Sequence, residues 1–236
     1  MTRIVDDSKV YVVTVGPSYP DLLGGGGTID DSVVANDSTF SSEKIMELLY
    51  PFAIQSFSVS PSIAEIGSSV TALNFNWVTN HAPGSVSISP LVGAVALPAT
   101  SCVLQTTLTS NTTFILTAIK GAATKTAQAT VSFLNRVYWG VNETQTSESV
   151  VIQQMSSALS GNRARSLTFD CSGGKFFHLA YPSRLGDASF KINNLTYSDM
   201  TKVTVQIENE FGYSELYNVY FCNVVQHGSA ITLVVQ

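Results

Sequence analysis

Residues 113–133, TFILTAIKGAATKTAQATVSF, alternate with a period of two on both sides of a Lys-Gly turn. Ala127, Ala129, Val131 and Phe133 fall on one side, and Thr126, Gln128, Thr130 and Ser132 on the other. Phe114, Leu116 and Ala118 alternate in the same way with Thr113, Ile115 and Thr117. Successive side chains of a strand point to opposite faces, so this run predicts a hairpin with one face in a core and one in water. Upstream, Phe57 and Val59 lead into a turn at Pro61, and Phe75 and Trp77 sit two apart on a second alternating run. The segment has to lie in a sheet.

Composition agrees with that reading. Of the 236 residues, 44% are hydrophobic and only 12% charged, which is ample for a core. Ser and Thr, more than Lys and Glu, have to serve the outer faces, as suits β-sandwiches. The 12 lysines and arginines are scattered and the net charge is −5, which disfavours nucleic-acid binding through phosphate contacts. No run of ~18 apolar residues is present, so no membrane-spanning helix is expected. The first residues lack an apolar leader core, which fits synthesis in a reducing cytoplasm, with Cys102, Cys171 and Cys222 as free thiols.

The chain changes character twice. Residues 1–52 read as an arm: a strand over Lys9 to Val15, a glycine-rich hinge at Gly24, a short strand at TIDDSVVA, and a helix over SSEKIMELL capped by Ser41 or Ser42. Ile45, Leu48 and Leu49 make one apolar face, which a helix so short must bury on this chain or on a partner. Residues 53–135 read as one β-domain. Residues 136–236 read as a second, mostly antiparallel β-domain. Its strands are VYWGV, SLTFDC, KFFHLAYP, ASFKIN, KVTVQIENE, YNVYFCNV and SAITLVVQ, and its one helix is ESVVIQQMSSAL, ended by Gly161.

Three resemblances follow from these residues. FSVSPSIAEIGSSVTALNFNWVTN with TSNTTFILTAIKGAATKTAQATVSFLN resembles a bacterial or phage immunoglobulin-like domain. The resemblance puts Trp77 on the third core strand and the last hairpin on the final two. No Cys pair flanks Trp77, and Phe114 stands where Tyr is common. FFHLAYPSRLGDASFKINN followed by TVQIENEFGYSELYNVYF is similar to a C-terminal module of phage structural proteins. IDDSVVANDSTFSSEKIMELL resembles a docking segment of phage fibre and other virion proteins. Together they imply a mainly-β virion component: an immunoglobulin-like sandwich, then a second antiparallel β-sandwich with one helix, preceded by an extended arm. Ile29, Asp30, Asp31, Phe40, Ile45, Leu48 and Leu49 would dock it on capsid, neck, tail or fibre proteins. A homo-oligomer is implied, a trimer being usual for a fibre, exposed on the virion surface.

Chemistry-bearing patterns are sparse. His81, His178 and His227 have no ligand partner at zinc spacing and read as surface or edge residues, so no metal or cofactor is expected. Asp170-Cys171-Ser172-Gly173-Gly174 reads as a turn, and no nucleophile motif occurs. Glu208, Glu210 and Glu215 flank Phe211-Gly212-Tyr213, and Glu208 and Glu210 would share a strand face about 7 Å apart as a carboxylate pair for a depolymerase, but the polar face and turn of a hairpin is the reading preferred for them. No enzyme is therefore expected. Aromatics crowd the C-terminal domain. Tyr138 and Trp139 put one ring on each face of a strand, so one must find a second layer, a partner or a ligand. With Phe211 and Tyr213 they are the candidate contacts for a subunit or, in the alternative reading, a host-surface glycan.

Overall fold

The computed structural model describes residues 2–6, 9–13, 49–192 and 194–236. Within the arm it holds an antiparallel hairpin, β1 (Thr2–Asp6) on β2 (Lys9–Val13). The sequence pattern predicts the second of these strands but not the first. The expected strand at TIDDSVVA and nearly all of the expected helix lie outside the described residues.

From Ile54 to Leu134 the chain is an immunoglobulin-like sandwich. Its strands are β3 (Ile54–Ser60), β4 (Ile63–Glu65), β5 (Val70–Thr79), β6 (Ser85–Ser89), β7 (Gly93–Val95), β8 (Ser101–Leu108), β9 (Thr112–Lys120) and β10 (Ala123–Leu134). One sheet has the order β3-β5-β8 and the other β4-β10-β9-β6-β7. In immunoglobulin lettering the first sheet is A-B-E and the second A′-G-F-C-C′. The predicted hairpin is β9–β10, paired from Ala123↔Lys120 to Val131↔Thr112. Its inward residues Phe114, Leu116, Ala118, Val131 and Phe133 are buried, as the alternation requires. Trp77 is also buried, but on β5, the B strand, rather than on the third core strand C. It reaches the same core from the opposite sheet. Phe75 is its anchor, stacked on Phe57 at 6.0 Å and edge-on to Phe114 at 4.8 Å.

At Asn135 the strands change partners. The second unit contains β11 (Arg136–Asn142), helix α1 (Ser149–Gln153), β12 (Ser156–Leu159), β13 (Arg165–Phe169), β14 (Phe176–Pro182), β15 (Phe190–Ile192), β16 (Leu195–Tyr197), β17 (Met200–Glu208), β18 (Ser214–Cys222) and β19 (Ile231–Val235). A five-stranded sheet β12-β11-β14-β18-β17 faces a four-stranded sheet β13-β19-β15-β16. Between them lie Val137, Leu167, Phe169, Phe177, Leu179, Tyr181, Tyr220 and Leu233, with the free thiols Cys171 and Cys222. The five-stranded sheet is covered on its outer face too, where α1 brings Ile152 onto Tyr138, Ala180, Ile207, Tyr217, Val219 and Phe221.

The expected helix over ESVVIQQMSSAL is much shorter. It stops at Gln153, and Ser156–Leu159 instead pairs antiparallel with β11, from Arg136↔Leu159 to Trp139↔Ser156. The open edge of β11 offers backbone hydrogen bonds that a second helical turn would forgo, and tertiary pairing overrides a weak helical pattern. Val150, which the helical spacing puts on the apolar face, is exposed.

Candidate functional site

The arm joins the first sandwich at a fixed root. Asn80 Oδ1 accepts from the Ala53 backbone N–H at 2.8 Å, and its Nδ2 donates to the Pro51 carbonyl at 2.9 Å. His81 Nε2 lies 2.7 Å from the Tyr50 carbonyl, and Phe52 is buried in the core. Two hydrogen bonds from one side-chain amide hold both sides of Phe52, because Asn carries a donor and an acceptor on one plane. Of the expected docking residues, Ile29, Asp30, Asp31, Phe40, Ile45 and Leu48 lie outside the described residues. Leu49, beside the root, is exposed at 66%.

The second sandwich joins at the far end. Strand β3 runs away from the root, and β5 returns to it, pairing Ile54 with Thr79. The turn between β4 and β5 is therefore at the opposite end, and Glu65 at the end of β4, with Ile66 and Gly67 in the turn, meets β11 and the β17–β18 hairpin. Glu65 is buried, and its Oε2 accepts from Arg136 Nε at 2.7 Å. Asn209 Nδ2 donates to the Ile66 carbonyl at 2.7 Å and lies 3.4 Å from Glu65 Oε1. Asn209 Oδ1 meanwhile accepts from the backbone N–H groups of Phe211 and Tyr213, both at 3.0 Å. One side chain thus shapes the hairpin tip and bolts it to the other sandwich. Gly67, at φ +88°, makes room: a Cβ there would lie 2.8 Å from Tyr213 Cβ. Arg136 also donates through Nη1 to Ser157 Oγ at 3.3 Å, and its carbonyl accepts from Tyr217 Oη at 3.0 Å.

The predicted aromatic contacts divide across this geometry. Tyr138 is buried under α1, so its second layer is supplied by this chain and not by a ligand. Burial, with the Glu65 charge next in weight, pushes its hydroxyl pKa up. Trp139 is half-buried against the inner core, with the Arg165 guanidinium 5.6 Å from its ring centre. Desolvation lowers the pKa of that guanidinium. Phe211 and Tyr213 are the two that reach solvent, 48% and 36% exposed, with both Cβ atoms close to Gly67 at the junction. Glu208 closes β17 and accepts from Ser214 Oγ at 3.0 Å, while Glu210 lies past the strand end, in the turn. The strand face they are expected to share does not extend to Glu210.

His178 is the other departure. In place of the expected surface or edge position, it is fully buried on β14. Its Nδ1–H donates to the Phe176 carbonyl at 3.0 Å, which leaves Nε2 to accept from the Thr146 backbone N–H at 3.2 Å. Desolvation pulls its pKa down to about 4, so the ring is neutral at pH 7. Among the described residues no group of His, Cys, Asp and Glu is arranged to hold a metal ion. No described helix is long and apolar enough to cross a membrane.

No local pattern marks Glu65, Arg136, Asn209 and Gly67 as a set. Glu65 is 71 positions from Arg136 and 144 from Asn209, and each reads locally as an ordinary polar residue. The nearest signal is the pair of aromatics flanking Gly212 in an otherwise polar turn.

No protein-family model matches the chain, and no curated protein matches it either. A solved structure of titin Ig tandem domains A164-A165 is similar at 10% identity, over 74% of this chain and 82% of that one, with a TM-score of 0.23. A likeness at that score carries no argument about function, and the immunoglobulin-like assignment stands on strand order.

Proposed function

We propose that this chain is a non-enzymatic structural protein of a phage virion, docked through its N-terminal arm and projecting two sandwiches for assembly contacts or host attachment. The observation that carries this reading is polarity. The arm's root and the second sandwich sit at opposite ends of the first sandwich, and side-chain hydrogen bonds fasten both joints. A stiff spacer with its anchor at one end and exposed aromatics farther along suits display. The likeness of Ile29–Ser32 and Thr39–Ile45 to virion docking segments supports the phage assignment. Such a protein works as a homo-oligomer beside capsid, neck, tail or fibre proteins. Immunogold labelling of gradient-purified particles tests this. Regular label on head or tail is expected; protein found free in lysate, with bare particles, overturns it.

The exposure of Phe211 and Tyr213 favours one second reading, a carbohydrate- or receptor-binding module, because an exposed aromatic ring can stack on sugar. That reading expects glycan binding by the isolated chain, abolished by Tyr213→Ala. Equal binding by Tyr213→Ala counts against it.

A further inference from the structure

The outer face of the five-stranded sheet is apolar and is closed by one segment, residues 143–155, which carries α1. Four attachments hold that segment down. Gln145 Nε2 donates to the Cys222 and Asn223 carbonyls, each at 3.1 Å. Gln153 Nε2 donates to the Glu208 carbonyl at 2.7 Å. Met155 lies over Gly140, where a Cβ would come within 3.0 Å of its Cγ. The fourth is the Thr146 N–H donated to His178 Nε2. The first three use groups that do not titrate. The fourth depends on a lone pair that a proton can occupy.

We propose that residues 143–155 form a proton-released strap: protonation of His178 Nε2 detaches the segment and uncovers the apolar face of Tyr138, Ala180, Val219 and Phe221. The ring takes one proton from water. Nε2 then carries an N–H that points at the Thr146 N–H, so an attraction becomes a donor–donor clash around a buried cation. The charged groups on the elements packed around the ring are engaged elsewhere or lie in water. The other strand residues on β14 are uncharged, and Phe221, on β18, sits 5.7 Å from the imidazole. The one charged residue of β11, Arg136, is engaged by Glu65, and Glu215 on β18 by Arg184 at 2.7 Å. On β17, Lys202 is paired with Asp187, and Glu208 accepts from Ser214. Asp199, before β17, accepts from Asn223 Nδ2 at 2.9 Å. Helix α1 has no charged residue, and the strap's own carboxylates, Glu143 and Glu148, are exposed. Burial already holds the ring neutral down to about pH 4, so the strap is shut at neutral pH and opens in acid.

The test is amide hydrogen exchange of the full chain from pH 7.5 to 4, expressed as protection relative to the intrinsic rate at each pH. The amides of Thr146, Val151 and Ile152 should lose at least tenfold protection as pH approaches 4, while those of β9, β10 and β19 hold theirs. In His178→Gln, whose side-chain oxygen can accept from Thr146 without titrating, strap protection should not change with pH. Unchanged strap protection in the native chain at pH 4 overturns the proposal. So does equal opening in His178→Gln, or loss of protection everywhere at once. If His178→Gln does not fold, an NMR titration of the native ring decides. A ring that titrates near 4 together with strap amide shifts supports the device, and one that titrates near its ordinary value with the strap shut refutes it.

Discussion

The two sandwiches bury their sheets differently. In the first, β5 and β9 alternate buried and open positions along their length, so each sheet has one wet face. In the second, nearly every residue of β14 and most of β18 is buried, because the opposing sheet covers one face and the strap and α1 cover the other. A strand covered twice loses the freedom to carry polar residues on alternate positions, and its sequence becomes a continuous apolar run such as FFHLAYP or YNVYFC. The first sandwich is thus two layers and the second three. The third layer hangs on a few polar attachments.

The largest test of this contrast lies within the first core. Phe75 is fully buried between Phe57 and Phe114, so Phe75→Ala should cost about 3–5 kcal/mol in denaturant unfolding. If the joint at Glu65 couples the sandwiches, the second should then unfold at lower denaturant as well. An unmoved second transition would break the picture of a fastened pair.

Acid should act on the second sandwich. The folded His178 pKa, about 4, lies below the ordinary value of 6.5, so the unfolded chain binds the extra proton between those values. Stability is fully present above about pH 6.5 and is lost as pH falls, by up to about 3 kcal/mol near pH 4. Urea melts of native chain and His178→Gln across that range measure it, and the part of the slope between about pH 6.5 and 4 that His178 supplies should be lost in the variant, leaving a shallower slope from the carboxylates.

Removing Arg136 leaves Glu65 buried without its partner. Arg136→Ala should cost about 1–3 kcal/mol and separate the two unfolding transitions, since Arg136 itself is partly in water. Glu65→Gln in the same chain should recover most of that loss by removing the stranded charge.

Legibility follows the layering. Strands with a wet face declare themselves by period two, which is why the β9–β10 hairpin is readable to the residue. The long apolar strands of the second domain stand out as runs, but which face meets what is not readable, because a run covered twice has no phase. Ser156–Leu159 looks helical for another reason: Met155, Ala158 and Leu159 continue the helical spacing of Val150 and Val151, and an edge strand of four residues is too short to show its own period. Tyr138 looks like a ring in search of a partner because the strap that covers it reads only as a longer helix. His178 looks like a surface residue because its hydrogen bonds come from backbone groups, which no side-chain pattern announces. The short strand β16 (Leu195–Tyr197) leaves no run to detect.

The smallest expected effect sharpens the contrast by pairing two chemically similar changes. Ile115 points outward on β9 and is 36% exposed, so Ile115→Thr should shift stability by about 0.5 kcal/mol or less. Val219 points outward on β18 but lies fully under the third layer, so Val219→Thr places a hydroxyl among Tyr138, Ile152 and Phe221 and should cost about 1–3 kcal/mol. Urea melts at pH 7.5 compare them directly. Below pH 5 the gap should narrow if the strap lifts, because the introduced hydroxyl then meets water. A gap that stays constant with pH would mean that the third layer is as permanent as the inner core, and that the difference between the sandwiches is one of thickness alone.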